Sequence, residues 1–478
     1  MINRIQTGCL IIFQLFFLIG MVNARTTGFH VDSLTTLVDA AISPYDQVRP
    51  GDTLYIHAGK RDFLLIRNFH GAENLPIVVI NHGGEVRIDT DHHFGISIQN
   101  CRFFRFTGTG DEALHYGFRI SRVSAGAGLG IGGLSSDIEI DHIAIENCKI
   151  GGIYAKTDPD CSLQGVRGRF TQYNTLIHDN YIHSAGNEGL YVGSAKFFGQ
   201  WVTCNGKDTL LMPSLLEGVR IYNNIIVDAG KSFYPDDPTK MKHGIFVSAI
   251  RNSAFSILFN TIINPKSDGI RFSSAKSRNN AVYSNVIINP GAYDYYENGN
   301  TSFDGEDAYV MITDKLTELF LENNYFARST DNVGFADSGY VLTASSVLID
   351  AGSSKNRDVD FDFYHDSRPY GKGFDIGAFE FNPDFLRIEE IQSGNLSVTI
   401  FPVPASNYLT FHLKADEPGK MNVTIFNATG RIMMEERKEV SNIGSNAFVA
   451  DLSHFPEGIY FYRVQLGGEY STGKFLKL

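Results

Sequence analysis

Four glycines, Gly152, Gly189, Gly244 and Gly269, each open a short apolar run, and ionisable residues recur at two fixed offsets from the last three. One residue before them stand Glu188, His243 and Asp268; seven residues after them stand Lys196, Arg251 and Lys276. Removing a weakly acidic proton beside a carboxylate requires a positioned base. It also requires Ca2+, Lys or Arg to neutralise that carboxylate. The two offsets supply these parts. Lys196, Arg251 and Lys276 are candidates for base and carboxylate clamp, Glu188 and Asp268 for Ca2+ ligands, and His243 for proton transfer. The second position after each glycine holds Tyr154, Tyr191, Phe246 and Arg271. If that column faces outward, it offers aromatic surface for stacking on sugar rings; the alternative is ordinary packing beneath inserted loops. Trp201, the only tryptophan, lies in one such insertion and is grouped with the substrate-binding residues.

These offsets have meaning only if the segments are stacked in register, and the sequence repeats in a way that stacks them. Between Ile138 and Pro290 one phrase returns: an Asn or Asp, a β-branched or aromatic run, a small turn, then Gly-Ile or Gly-Leu and another apolar run. Alignment puts Asn100, Asn147, Asp179, Asn223, Asn260, Asn285 and Asn323 in one column, predicted to be an architectural ladder of amides closing the same turn in each coil. The four glycines form a second column, predicted to permit positive φ or a close backbone approach. Strand-sized segments without helical periodicity or caps predict a solenoid in which each coil buries its apolar face on its neighbours. Three insertions, residues 158–173, 197–216 and 231–241, fall on one flank, where a binding groove is expected.

This coil pattern, over roughly residues 50 to 340, resembles the right-handed parallel β-helix of pectate lyases, chondroitinase B, alginate lyases and other carbohydrate-active proteins. The fold class expected is therefore all-β, a right-handed parallel β-helix followed by a small C-terminal β-sandwich. The resemblance implies an acidic polysaccharide substrate cleaved by β-elimination. Two other classes stay open. A glycoside hydrolase needs two carboxylates about 5 to 9.5 Å apart, for which Glu188, Asp158, Asp160 and Asp268 are available, and an epimerase would use the same scaffold. A non-catalytic glycan-binding adhesin needs neither chemistry.

The remaining segments describe an exported chain. Residues 1–24 carry a single charge, Arg4, before an apolar run ending Val22-Asn23-Ala24, the pattern of a cleaved signal peptide. The full chain has 41 Lys and Arg against 53 Asp and Glu, a formal charge of −12. That balance offers no global attraction for a polyanion and no nucleic-acid partner is expected. Residues 25–344 are assigned to an N-terminal cap and the β-helix, with Leu34 to Ala41 as a capping helix. Cys161 and Cys204, on insertions of one flank, are placed to pair in an oxidising compartment, whereas Cys101 and Cys148 are expected as core thiols. The doublet His92-His93 cannot chelate alone, because neighbours on a strand point to opposite faces. Leu348-Ile349-Asp350-Ala351-Gly352 with Asp375-Ile376-Gly377-Ala378-Phe379-Glu380 resembles the closing module called choice-of-anchor Q, assigned to 345–382. After a linker at 383–395, alternating runs in 396–478, with Pro402-Val403-Pro404 and the terminal Lys474-Phe475-Leu476-Lys477, are similar to the C-terminal sorting domain of the type IX secretion system. That resemblance implies the secretion machinery as a partner and a secreted or outer-membrane surface location. A monomer is expected.

Overall fold

The computed structural model describes residues 28–111, 114–194, 196–235, 240–248, 255–273, 277–291, 308–312, 317–336, 339–355 and 359–383. In the C-terminal part it describes 396, 398–415, 418–427, 431–440, 444–467 and 469–477. The chain folds as a right-handed parallel β-helix. A typical coil has three strands, such as Ser136–Asp141, Ile143–Cys148 and Ile153–Ala155, and each pairs in parallel with its counterpart one coil on. Strand residues of period two send Ile138, Ile140, Ile145 and Ile153 into a core that runs the length of the solenoid. Cys101 and Cys148 are buried there as free thiols. The expected helix at Leu34 to Ala41 is absent: Leu37–Asp39 is a strand that pairs with Leu64–Arg67. Its Val38 extends the core by strand addition instead of capping it, while Leu37 stays exposed.

The amide ladder exists and includes Asn260 and Asn285 of the aligned column, but at Asp179, Asn223 and Asn323 it runs through the next residue instead. Asn180, Asn224, Asn260, Asn285 and Asn324 stack on successive coils, and each of the first four donates from both its backbone N–H and its side-chain Nδ2 to the next Asn Oδ1 at 2.9–3.2 Å. Asp179, Asn223 and Asn323 instead precede the ladder and adopt positive φ, a place taken by Phe259 and Ser284 in the coils of Asn260 and Asn285. Two kinds of Asn site thus adjoin at one corner, and alignment by residue type merged them. Asn260→Ala removes an acceptor serving two groups of Asn224 and a donor to Ile221 and Leu258 carbonyls. It should lower stability by about 1 to 3 kcal/mol in denaturant unfolding; an unchanged midpoint would show that the ladder is dispensable.

The glycine column answers a steric demand. A Cβ on Gly152 would sit 2.4 Å from the Gly189 carbonyl oxygen, and those on Gly189, Gly244 and Gly269 would sit 2.6–2.7 Å from the carbonyl of the next coil. Of the two reasons expected for these glycines, close approach applies and positive φ does not.

On the outer face, His178 is held by two carboxylates, Asp179 at 2.6 Å and Glu139 at 3.2 Å, with its ring stacked on Tyr222. Burial alone would lower its pKa, but the bonds to Asp179 and Glu139 outweigh it and raise the pKa to about 10. A raised folded-state value contributes stability that is complete below the unfolded value near 6.5 and disappears as pH climbs through about 10. The melting temperature should therefore fall across that interval, and a His178→Gln variant should show a smaller fall.

Residues 345–383 lie against the side of the solenoid. Leu348, Phe363, Ile376 and Phe379 pack with Ile225, Ile263 and Val286. The C-terminal unit has its own core, including Leu409, Phe411, Phe448 and Val464, between a three-stranded and a four-stranded antiparallel sheet.

Candidate functional site

The stacked strands set the site's floor. Tyr154, Tyr191, Phe246 and Arg271 occupy one register line across four coils, as their spacing from the glycines predicts. Their exposure differs from the expectation. Phe246 is fully buried, its ring 4.8 Å from Tyr191 and 5.5 Å from His243. Tyr154 and Tyr191 are half-buried and packed edge to face. The line is closed at Phe246 and partly open at the two tyrosines.

One turn upstream, Glu188, His243 and Asp268 are buried on successive coils. Asp268 Oδ1 accepts from the Ala308 backbone N–H at 2.7 Å and its Oδ2 from Arg271 at 3.0 Å, while His243 Nδ1 lies 3.1 Å from that same Oδ2 and accepts from the Asp268 backbone N–H at 3.2 Å. Glu188 accepts from the Tyr154 hydroxyl at 2.5 Å. Two coil steps place the Glu188 and Asp268 carboxylates roughly 10 Å apart, too far to share one Ca2+ with oxygen ligands at about 2.3 to 2.6 Å. Asp268 is in addition consumed by its protein partners. The pair does not fit the Ca2+ role expected for it.

Around Tyr154, Glu188 and Tyr191 opens a cavity of about 940 Å³, walled by Lys149, Lys156, Lys231, Lys240 and Lys266 together with Tyr234. Among the described lining residues Glu188 is the single carboxylate against those five lysines. Lys156 Nζ stands 5.1 Å above the Tyr191 ring and 2.9 Å from Asp158. Burial raises the Tyr154 phenol well above its ordinary value, and the Glu188 charge adds to that. Burial likewise raises Glu188, against a lowering by the Tyr154 hydroxyl. The pair thus combines a phenol that keeps its proton with a carboxylate made more basic than usual.

The expected cation edge is placed differently. Lys196 is exposed and does not line this cavity; Arg251 and Lys276 lie outside the described residues. Trp201 is 70% exposed on the hairpin Gln200–Cys204 and Lys207–Leu211, away from the lining. His243 is buried beneath the floor rather than open to it. The lysines that do converge carry a weak signal in sequence: Lys149 and Lys266 both stand three residues before a strand-opening glycine, while Lys231 and Lys240 belong to the third insertion. Cys161 and Cys204 form a disulfide that joins the first two insertions. A second cavity, of about 460 Å³, is walled by Tyr116, Tyr181, Phe363 and Leu476 and has no lysine or arginine among its described lining residues.

Comparison with known proteins decides the C-terminal unit. Residues 399–477 match the secretion system C-terminal sorting domain. The sorting domain marks the chain for export to the cell surface or release, in keeping with the type IX resemblance. Among the described residues no helix is long and apolar enough to cross a membrane. No curated protein matches the chain. Among solved structures, it is similar to the enzymatically active domain of bacteriophage CBA120 tailspike protein 2, with 11% identity over 89% of this chain and 72% of that one and a TM-score of 0.34. It is also similar to the PL6 family alginate lyase AlyGC, with 13% identity over 66% of this chain and 52% of that one and a TM-score of 0.17. Both likenesses are distant.

Proposed function

We propose that the protein is an exported polysaccharide lyase that cleaves a uronic-acid-containing glycan in the lysine-walled cavity. The observation that carries this reading is the enclosure of a hydrogen-bonded pair, half-buried Tyr154 and buried Glu188, by five lysines. The lysines neutralise the uronate and so acidify the proton at C5; at about 4 Å and an effective dielectric near 20, one such contact is worth about 4 kcal/mol. Tyr191 and Tyr234 give the sugar rings apolar faces. The Tyr154 oxygen takes the C5 proton as its own proton passes to Glu188. Electrons from the C–H bond form the C4–C5 double bond, the C4–O bond breaks, and the proton returns through Tyr154 to the leaving oxygen. Hydrolysis would require a second carboxylate facing Glu188 across the bond, and the described lining offers none.

The test is incubation of the purified chain with a panel of uronic-acid polysaccharides. New ultraviolet absorbance from the conjugated double bond supports elimination. Reducing ends formed without that absorbance assign a hydrolase, and binding without either product assigns a glycan-binding surface protein.

A further inference from the structure

Three strands at the N-terminal end, Gly28–Val31, Thr53–Arg61 and Ile77–Thr90, lie side by side in parallel. In their register His30 is opposite Tyr55, and His57 is opposite His82. Leu54 and Ile56 point into the core, so the period of two turns Tyr55, His57 and their partners outward. The consequence is that three of the chain's 14 histidines meet on the outer surface. His30 Nδ1 lies 2.9 Å from His57 Nε2, the three rings are 5.1–5.2 Å apart, and one nitrogen from each falls within 4.8 Å of the others.

We infer that His30, His57 and His82 form a binding site for one divalent transition-metal ion of the zinc and copper class, which clips the first strand to the two coils behind it. Nitrogens about 2.0 to 2.1 Å from a tetrahedral ion are about 3.4 Å apart, a spacing these imidazoles reach by small side-chain rotations. The group contains only nitrogen donors, which favours zinc, copper or nickel over the oxygen-seeking Ca2+ and Mg2+. Three protein ligands leave a fourth position for water. Among the described strands, Gly28–Val31 pairs on one side only, so it is an edge that an ion bridging three strands holds in place. Binding to the folded form alone is then coupled to stability. This site is independent of the lysine-walled cavity.

The mature chain, prepared without a polyhistidine tag and stripped with a chelator, should bind one Zn2+ in isothermal titration calorimetry, and excess Ca2+ should not compete. Loaded with Cu2+, it should show nitrogen superhyperfine structure in electron paramagnetic resonance. His57→Ala and the closer mimic His57→Gln should each weaken Zn2+ binding roughly tenfold or more, as should His30→Ala and His82→Ala. His92→Ala, removing a histidine paired with Asp62 elsewhere, should leave it unchanged. Zn2+ should raise the melting temperature of the wild type and not that of the folded His57→Gln variant. Equal Zn2+ affinity in the wild type and all three single-site variants overturns the inference, as does the absence of any bound ion in the wild type.

Discussion

Tyr154→Phe should lower the rate on a cleaved polysaccharide by about 10²-fold or more, the scale lost when a positioned proton-transfer group is removed. The ring, its contact with Tyr191 and the coil register all persist in phenylalanine, so substrate affinity should change far less than turnover. Glu188→Gln should cause a similar loss, since an amide cannot take the phenol proton. The pH profile separates a chemical role from a structural one. Burial raises Glu188, so its carboxylate is lost as pH falls through a value above the ordinary glutamate range. The acid limb of the rate should therefore lie at higher pH than an exposed glutamate gives, and it should disappear in Glu188→Gln. Near-wild-type turnover in Tyr154→Phe would remove the site from this cavity.

The largest stability change should come from Arg368→Ala. The guanidinium is fully buried, bonds Glu380 at 2.8 Å and the Gly377 carbonyl at 2.9 Å, and stacks 4.0 Å from the centre of the Phe259 ring. It also reaches Asn223 on the solenoid at 3.3 Å, so one side chain ties residues 345–383 to the coils. Burial raises the Glu380 carboxyl to about 6 even with the arginine beside it. Alanine leaves that carboxyl buried without its cation, at a cost of about 3 to 5 kcal/mol. Denaturant unfolding should report the loss, and Arg368→Met combined with Glu380→Gln should recover part of it. A single variant as stable as the wild type would mean that the buried pair contributes nothing to docking this segment.

The fold was legible because its causes are local and repeated. Period-two burial and one glycine per coil follow from backbone sterics that act identically in each coil, so sequence alignment finds them, and it finds the asparagine corner too while merging its two adjoining sites. The sorting domain was legible for a related reason, as its alternating strands and terminal motif are contiguous. The cavity was not, because its walls come from different rules. Lys149 and Lys266 share a coil position, but Lys156, Lys231 and Lys240 reach the same space from a strand end and a loop whose course no periodicity dictates. Phe246 shows the converse. Its offset matches Tyr154 and Tyr191, yet it is fully buried against Tyr191 and His243, a difference that a count of residues does not reveal. His30, His57 and His82 escape a count of equal offsets because the coil spacing here is 25 residues: His57 faces His82 directly, but His30 faces Tyr55 and reaches the other two only diagonally.

The asparagine row can be treated as a one-dimensional crystal. Each interior member, Asn224, Asn260 or Asn285, both receives from the coil before and gives to the coil after, so a vacancy there breaks two junctions. Asn324 ends the row, so a vacancy there breaks one, whereas Asn180 at the other end still accepts from the Ile143 backbone N–H of the coil before and a vacancy there breaks two. Tolerance to mutation should therefore be low from Asn180 through Asn285 and higher at Asn324. The same bookkeeping governs growth: inserting a complete coil with its own asparagine preserves every junction, while inserting part of one severs the row. A scaffold built this way lengthens or shortens in whole turns, and its groove changes length in the same quanta.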